Sequence, residues 1–217
     1  AEHGVNVDLV DVDKQFMDHA KTDPYLSQYH EDAYEYENLT VHHQDAFSYL
    51  QNTDKQYDVV LLDLPGAKND DLLHLYSKEF YQSINNHLTD KGVVVTWAYD
   101  ENSYGMHHSS YINTVQSANF NSWMKYWSYG DFNNNGVETR GERFYIFSPA
   151  ETDERPTIQP ENGSNYVKEH SDRYTDKGWD PVPVYRGSKV NSIVKPSYEI
   201  IVDTTNKNHG DTNGRNQ

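Results

Sequence analysis

The sequence predicts an α/β fold with a mostly parallel, doubly wound sheet. Three observations indicate it. Short apolar or β-branched runs alternate with segments of helical periodicity. The apolar runs are flanked by polar residues, as strands that lead into helices are. The last two such runs are aromatic and flank a stretch rich in Asn and Gly, which predicts an antiparallel hairpin at the edge of the sheet.

The individual elements follow from periodicity and turn residues. Strands are predicted at Val5–Val12, Leu39–His43, Tyr57–Leu62, Val93–Trp97, Trp123–Tyr129 and Arg143–Phe147. Helices are predicted at Lys14–Ala20, Ala46–Leu50, Asp70–Leu88 (closed by Lys91-Gly92) and Met106–Ala118. The continuous apolar run at Tyr57–Leu62 predicts a strand that is buried on both faces. Beyond Glu151 the pattern fades. Only Val194–Val202 suggests a further strand, and Thr204–Gln217 is predicted to be disordered.

The composition excludes several classes of function. The 217 residues include 34 Asp and Glu against 18 Lys and Arg, a formal charge of -16. Such a chain repels phosphate backbones and anionic lipid, so we predict neither nucleic-acid nor membrane-surface binding. The absence of cysteine excludes disulfides and thiolate chemistry. Adaptation to high salt (a halophilic protein) and ordinary solubility both explain the acidic surface.

Three aspartates follow predicted strands. Asp11 ends the first, Asp45 follows the second and Asp63 ends the third. Ligands of such sheets bind outside the carboxyl ends of the strands. Carboxylates there can accept hydrogen bonds from a ribose diol and an adenine amino group, with the third beside the reacting centre. The trio therefore suits an adenosyl-sulfonium ligand. The alternative is that each aspartate caps the helix that follows its strand.

Five blocks of sequence carry a resemblance to a known family. They are Val7-Asp-Leu-Val-Asp-Val-Asp13, Lys21-Thr-Asp-Pro-Tyr-Leu26, Val41-His-His-Gln-Asp-Ala-Phe47, Tyr57-Asp-Val-Val-Leu-Leu-Asp-Leu-Pro65 and Leu75-Tyr-Ser-Lys-Glu-Phe-Tyr81. In order and spacing the blocks resemble spermidine synthase-like proteins. These are polyamine aminopropyltransferases with a Rossmann-like fold of the class I methyltransferase type. The resemblance covers roughly Val5 to Pro149.

The resemblance implies roles for six residues. Asp63 would be catalytic, receiving the attacking amine and taking up its proton. The adenosyl group would be bound through its ribose hydroxyls, its adenine edge and the adenine pocket by Asp11, Val12, Asp45, Ala46 and Leu64.

The implied reaction moves an aminopropyl group from decarboxylated S-adenosylmethionine to putrescine or a related amine. The expected partner is a small cationic amine, and a homodimer is left open. The expected location is the cytoplasm, with N-terminal membrane spans in the parent protein left open. Two alternatives remain: a methyltransferase-like protein that uses S-adenosylmethionine itself, and a truncated or degenerate domain without catalysis.

Two departures from the family pattern bear on activity. The second acid of the Asp-x-x-Asp motif falls on Gly66, and Asp70 and Asp71 are interpreted as acids at a helix start. The family's glycine-rich loop and first strand are not found, although that strand would lie between those at Val5–Val12 and Tyr57–Leu62. We therefore expect residues 1–150 to be the C-terminal part of a Rossmann domain with little catalysis by itself. Residues 151–203 would be an extension and 204–217 a tail.

A calcium loop is the second candidate signal. Residues 131–142 fit the Asp-x-Asn-x-Asn-Gly pattern with Glu142 in the twelfth position. However, Glu138 takes the usual apolar position, and the flanks are predicted to be strands rather than helices. We therefore interpret this stretch as a hairpin loop and predict no metal site.

Overall fold

The computed structural model describes residues 4–30, 32–67, 70–97, 105–120, 122–130, 139–149, 179–180 and 187–200. The predicted tail at 204–217 and most of the Asn- and Gly-rich loop, residues 131–138, lie outside the described residues. The chain divides into two compact units, Ala1–Lys55 and Gln56–Gln217.

The first unit is built on a two-stranded parallel sheet. Strand β1 (Val7–Asp11) pairs with β2 (Leu39–His43) over their full lengths. The helices of this unit are α1 (Lys14–Thr22), α2 (Pro24–His30) and α3 (Ala46–Gln51), with a 3₁₀ turn at Ala33–Glu35. Asp23 follows the last residue of α1, and its carboxylate accepts hydrogen bonds from the Tyr25 and Leu26 N–H groups at the start of α2.

A charged cluster ties the two strands of this unit to its last residue. The Asp8 side chain on β1 is only 9% exposed. Its carboxylate accepts hydrogen bonds from His42 Nε2 on β2 at 2.9 Å and from Lys55 Nζ at 2.8 Å. The Asp8 hydrogen bond raises the pKa of Lys55. A poorly solvated carboxylate requires such partners, so the cluster stabilises this sheet only while it is complete.

The second unit contains a mixed sheet in the order β3-β4-β6-β5-β7. Its strands are β3 (Tyr57–Leu62), β4 (Leu88–Trp97), β5 (Ser122–Gly130), β6 (Thr139–Ser148) and β7 (Trp179–Asp180). Strands β3 and β4 are parallel, and the other pairings are antiparallel. The predicted hairpin is therefore present as β5–β6, and β7 adds a strand beyond it. With helices α4 (Lys78–Asn86) and α5 (Gly105–Gln116), these pairings confirm the Rossmann-like α/β class.

The prediction that β3 is buried on both faces is wrong. Val59 and Leu61, which share one face, are 52% and 74% exposed. Among the described residues β1 pairs with β2 and β3 pairs with β4, so neither joins the sheet of the other. The resemblance in sequence predicts that the family's first strand lies between β1 and β3. An apolar run predicts that the faces of a strand can be buried. Whether they are buried depends on which other elements pack against them.

The core of the second unit is aromatic. Tyr111 of α5 stacks on Tyr145 of β6, with ring centroids 5.5 Å apart, and meets Tyr81 of α4 edge-on. The Tyr81 and Tyr111 hydroxyls are hydrogen-bonded at 2.6 Å, and His108 Nδ1 pairs with the Tyr145 hydroxyl. Burial raises the pKa of Tyr111. The polar atoms that these large rings carry into the core are thus satisfied within it.

The helix predicted at Asp70–Leu88 is interrupted. A 3₁₀ helix spans Asp70–Tyr76, and α4 begins after Ser77, whose side chain accepts a hydrogen bond from the Phe80 N–H. Helix α4 ends before His87, so the prediction that Lys91-Gly92 closes the helix is also wrong. Both residues belong to β4. A Cβ at Gly92 would lie 2.8 Å from the Leu88 Cβ, which leaves room only for glycine.

The helix break is stabilised by a distant segment, residues 187–200, which we call the clasp. Its buried Asn191 donates from Nδ2 to the carbonyl groups of Leu73 and Tyr76, at 2.9 and 3.0 Å. Its own carbonyl accepts from the Lys78 N–H at 2.9 Å. Carbonyl groups that a continuous helix would use internally are thus satisfied from outside. The strand suggested at Val194–Val202 is instead a Ser192–Lys195 bridge and a 3₁₀ turn at Tyr198–Ile200, as far as residue 200.

Replacing Asn191 with Ala should lower the free energy of unfolding by about 3 kcal/mol, because several buried backbone groups lose their partners at once. Urea denaturation measures this change. Lys195→Ala, a change at an exposed residue of the same clasp, is the matched control and should stay within about 0.5 kcal/mol of the parent. Equal losses in the two variants would contradict the role given to Asn191.

The clasp should also loosen in acid. Burial raises the pKa of Glu79, but hydrogen bonds from the Ile193 N–H and the Ser192 hydroxyl outweigh it and hold the pKa below its ordinary value of 4.5. A lowered folded-state pKa adds stability above the unfolded pKa, and this stability is lost as the pH falls through the folded value. Wild type should therefore exceed Glu79→Gln in stability at pH 7, and the difference should shrink steadily below about pH 4.5. A difference that does not change between pH 7 and pH 3 would refute this assignment.

Candidate active site

The carboxyl ends of β1 and β2 lie side by side in the first unit. Asp11 pairs in register with His43, and Asp45 follows two residues later. The parallel pairing therefore brings Asp11 and Val12 to the same end of the sheet as Asp45 and Ala46. Strand ends of this kind are where α/β proteins bind ligands.

Asp11 is not a helix cap. Its Oδ1 accepts a hydrogen bond from the Asp13 N–H at 2.7 Å, while the cap of α1 is Asp13, which accepts from the Phe16 N–H. Burial, and then the charge of Asp11, raises the pKa of Tyr34. Val12, 76% exposed, lies at the surface. The capping alternative therefore fails for Asp11.

Asp45, by contrast, does cap a helix. Its Oδ1 accepts a hydrogen bond from the Ser48 N–H at 2.8 Å, and Ala46 is the first residue of α3. A carboxylate offers about four lone-pair sites, so one capping hydrogen bond uses part of its acceptor capacity. Capping and ligand binding are thus compatible at this position.

In the second unit, the loop that follows β3 presents Asp63. The Asp63 side chain is exposed, Leu64 is half-buried and Ala67 is fully buried. Two aromatic side chains hold this loop, residues 63–67. Trp97 Nε1 donates to the Leu64 carbonyl at 2.9 Å, and the Tyr76 hydroxyl donates to the Pro65 carbonyl at 2.7 Å. The backbone beside Asp63 is therefore fixed, while its carboxylate is open to solvent.

Trp97 also lies against Gly66. Leu62 of β3 pairs in register with Thr96 of β4, so Trp97 comes at the end of β4 beside the loop. A Cβ placed on Gly66 would lie 3.6 Å from Cη2 and 3.7 Å from Cζ2 of the Trp97 ring, an ordinary contact distance. The position without a side chain thus faces the benzo part of the indole.

Sequence reasoning missed Trp97 and Tyr76 as site residues. Trp97 was assigned only to a strand, although its place at the carboxyl end of the parallel neighbour of β3 was an available signal. Tyr76 stood in the Leu75–Tyr81 block, but nothing in that block shows that its hydroxyl meets the Pro65 carbonyl.

Metal and membrane sites were also part of the sequence predictions. The part of the chain that the structure describes contains no group of three or more His, Asp or Glu side chains that could hold a metal ion. The calcium pattern falls mainly on residues outside that part. None of the described helices is long and apolar enough to cross a membrane.

The sequence model of the family described as "Spermine/spermidine synthase domain" matches residues 3–130. This match spans more than half of the chain, and the chain belongs to that family.

Named relatives agree with the assignment. The chain is 33% identical over 116 residues to a polyamine aminopropyltransferase of Oceanobacillus iheyensis, which covers 54% of this chain and 23% of the relative. It is 32% identical over 91 residues to one of Saccharolobus solfataricus, covering 42% and 30%. The chain thus spans less than a third of the length of either relative.

A solved structure supports the fold. A spermidine synthase in complex with the transition-state analogue AdoDATO superposes with a TM-score of 0.52 at 16% identity, covering 82% of this chain and 54% of that one. At this identity the similarity concerns the fold.

Tyr76→Phe should release the loop that carries Asp63, because the Pro65 carbonyl loses its donor. We expect faster amide hydrogen exchange at Gly66 and Ala67 and a loss of about 1 kcal/mol in unfolding free energy. Tyr198→Phe removes a hydroxyl from a ring that is 63% exposed and serves as control. The loop assignment would be wrong if both variants exchanged these amides at the parental rate.

Proposed function

We propose that the protein is a polyamine aminopropyltransferase, with Asp63 as its catalytic carboxylate. The observation that carries the proposal is the placement of this side chain. It is exposed, directly follows the carboxyl end of β3, and stands on a loop held by Trp97 and Tyr76. Membership of the spermine/spermidine synthase family supports the reaction class.

Four of the five residues proposed to bind the adenosyl donor belong to the first unit. In the proposal, Asp11 accepts hydrogen bonds from the ribose hydroxyls, since its carboxylate lies at the end of β1 and caps no helix. Asp45 accepts a hydrogen bond from the adenine amino group, and Ala46 at the start of α3 lies against the adenine edge. Val12 supplies an apolar surface that is exposed and able to contact the base. Leu64, beside Asp63, completes the proposed set.

The chemistry is a displacement at carbon. The neutral nitrogen of the acceptor attacks the aminopropyl carbon next to the sulfonium of decarboxylated S-adenosylmethionine. A C–N bond forms and the C–S bond breaks, and the sulfur keeps the electron pair and leaves as the thioether methylthioadenosine. The attacking nitrogen becomes cationic and loses a proton to Asp63. Asp63 also orients the nitrogen before attack, which favours a productive geometry.

The overall charge suits this substrate class. Donor and acceptor are both cations, and the formal charge of -16 attracts cations over distances limited by ionic strength. We further propose that residues 1–150 belong to one Rossmann-like domain.

Asp63→Asn should reduce aminopropyl transfer by at least about 100-fold, because the amide cannot take up the proton of the attacking amine. Release of methylthioadenosine by the intact gene product, supplied with decarboxylated S-adenosylmethionine and putrescine, measures the reaction. Because Asp63 is exposed, the circular dichroism spectrum and melting temperature should not change.

Asp90→Asn is the matched control for this prediction. It removes an exposed carboxylate from the same unit near the start of β4, at the far end of that strand from Trp97, and should retain transfer. Turnover by Asp63→Asn equal to that of Asp90→Asn would overturn the catalytic assignment. Stronger binding of S-adenosylmethionine than of its decarboxylated form would favour the methyltransferase alternative, and binding of neither ligand at millimolar concentration would favour a non-catalytic domain.

A further inference from the structure

We propose that Asn191 of the clasp is a positioning residue for aminopropyl transfer, acting through Tyr76 on the loop that presents Asp63. The inference rests on the proposed function, and it deepens that function by naming a residue that serves the site from a distance. Asn191 lies beyond the family match, which ends at residue 130. The clasp would therefore be an element that this chain adds to the machinery of its family domain.

The Asn191 amide is fixed in place by hydrogen bonds on every polar atom of the residue. The residue is 1% exposed, and its Nδ2 donates to the two carbonyl groups that precede α4. Its Oδ1 accepts from the Ser197 N–H at 2.9 Å, its N–H donates to Thr114 Oγ1 at 2.9 Å, and its carbonyl accepts from the Lys78 N–H. A buried group with this many partners cannot shift without leaving some of them unpaired.

Tyr76 passes this constraint to the loop. Its carbonyl accepts from Asn191 Nδ2 at 3.0 Å, and its hydroxyl donates to the Pro65 carbonyl at 2.7 Å. The ring between these two ends is 3% exposed and meets the Tyr111 ring edge-on, with centroids 6.1 Å apart. Because a packed aromatic side chain has few alternative rotamers, a shift of the Tyr76 backbone moves the hydroxyl away from Pro65.

The held loop sets the position of the proposed catalytic group. Pro65 has a fixed φ, so holding its carbonyl restrains the backbone two residues from Asp63. The Asp63 side chain is exposed, and the position of its carboxylate depends on the backbone that carries it. A displacement of about 1 Å at such a group can cost about 100-fold in rate. The contribution of Asn191 should therefore appear in the rate of transfer rather than in donor binding.

Two variants break the connection at different points. Asn191→Ala removes the donor to the Tyr76 carbonyl, and Tyr76→Phe removes the donor to Pro65. Each should lower kcat of the intact gene product by about tenfold or more. The KM for decarboxylated S-adenosylmethionine should change by less than about threefold, because four of the five residues proposed to bind it belong to the first unit. Amide hydrogen exchange at Gly66 and Ala67 should become faster in both variants.

A control and a double variant separate positioning from loss of stability. Ile84→Ala opens a cavity at a fully buried residue near the end of α4, so it should lower the melting temperature and keep the parental kcat. The double variant Asn191→Ala/Tyr76→Phe should have a kcat no lower than the more impaired single variant, because both changes act on the same hydrogen bond to Pro65.

Thr114→Val replaces Asn191→Ala in these measurements if the latter does not fold. It removes the acceptor of the Asn191 N–H, keeps the shape of the side chain and leaves the Asn191 amide in the protein. Exchange at Gly66 and Ala67 should again be faster and kcat lower. Parental values of both would overturn the inference.

The remaining outcomes distinguish this inference from the proposed function. Parental exchange at Gly66 and Ala67 in folded Asn191→Ala would refute the inference and leave the function standing. A kcat of Asn191→Ala equal to that of Ile84→Ala would do the same, as would losses that multiply in the double variant. If wild type releases no methylthioadenosine, the proposed function itself fails and the inference falls with it, whatever the exchange rates are.

Discussion

The hydrogen bonds of Asn191 are the constraint on which the second unit depends. They satisfy the carbonyl groups of Leu73 and Tyr76 where the chain leaves a 3₁₀ helix for α4. Tyr76 in turn donates to the Pro65 carbonyl on the loop that presents Asp63. A buried amide late in the chain is therefore connected through two contacts to the proposed catalytic carboxylate. Because buried polar groups are costly when unpaired, these contacts favour a single arrangement.

Through these hydrogen bonds the clasp stabilises the second unit. The family match ends at residue 130, whereas the clasp lies beyond that limit. Asn191 and Ser192 of the clasp donate hydrogen bonds to Tyr76 and Glu79, which belong to the family block at Leu75–Tyr81. Strand β4 also helps to hold this loop, because Trp97 at its end donates a hydrogen bond to the Leu64 carbonyl. Two elements that are distant in sequence thus fix the backbone at which proton transfer is proposed.

Charge is distributed in two ways across the chain. Asp8 has little exposure and is neutralised locally by His42 and Lys55. Asp63 is exposed and stands on a loop without another acid. The first arrangement stabilises structure, because a poorly solvated carboxylate needs partners. The second leaves a carboxylate available to a cationic ligand, which is the chemistry that an amine acceptor requires.

The sequence by itself determined the α/β class, the order of strands β1 to β6 and the aspartates that follow the strands. Apolar runs and turn residues are local signals, and β2 and β3 have the predicted bounds. Tertiary structure decided what depends on contacts distant in sequence. Asn191 stabilises the helix break before Ser77, and the close approach of Leu88 leaves room only for glycine at position 92. The exposure of Val59 and Leu61 depends on which elements cover their face. The hydrogen bonds by which Trp97 and Tyr76 hold the loop could not be predicted, because a hydrogen bond to a backbone carbonyl leaves no pattern in the sequence.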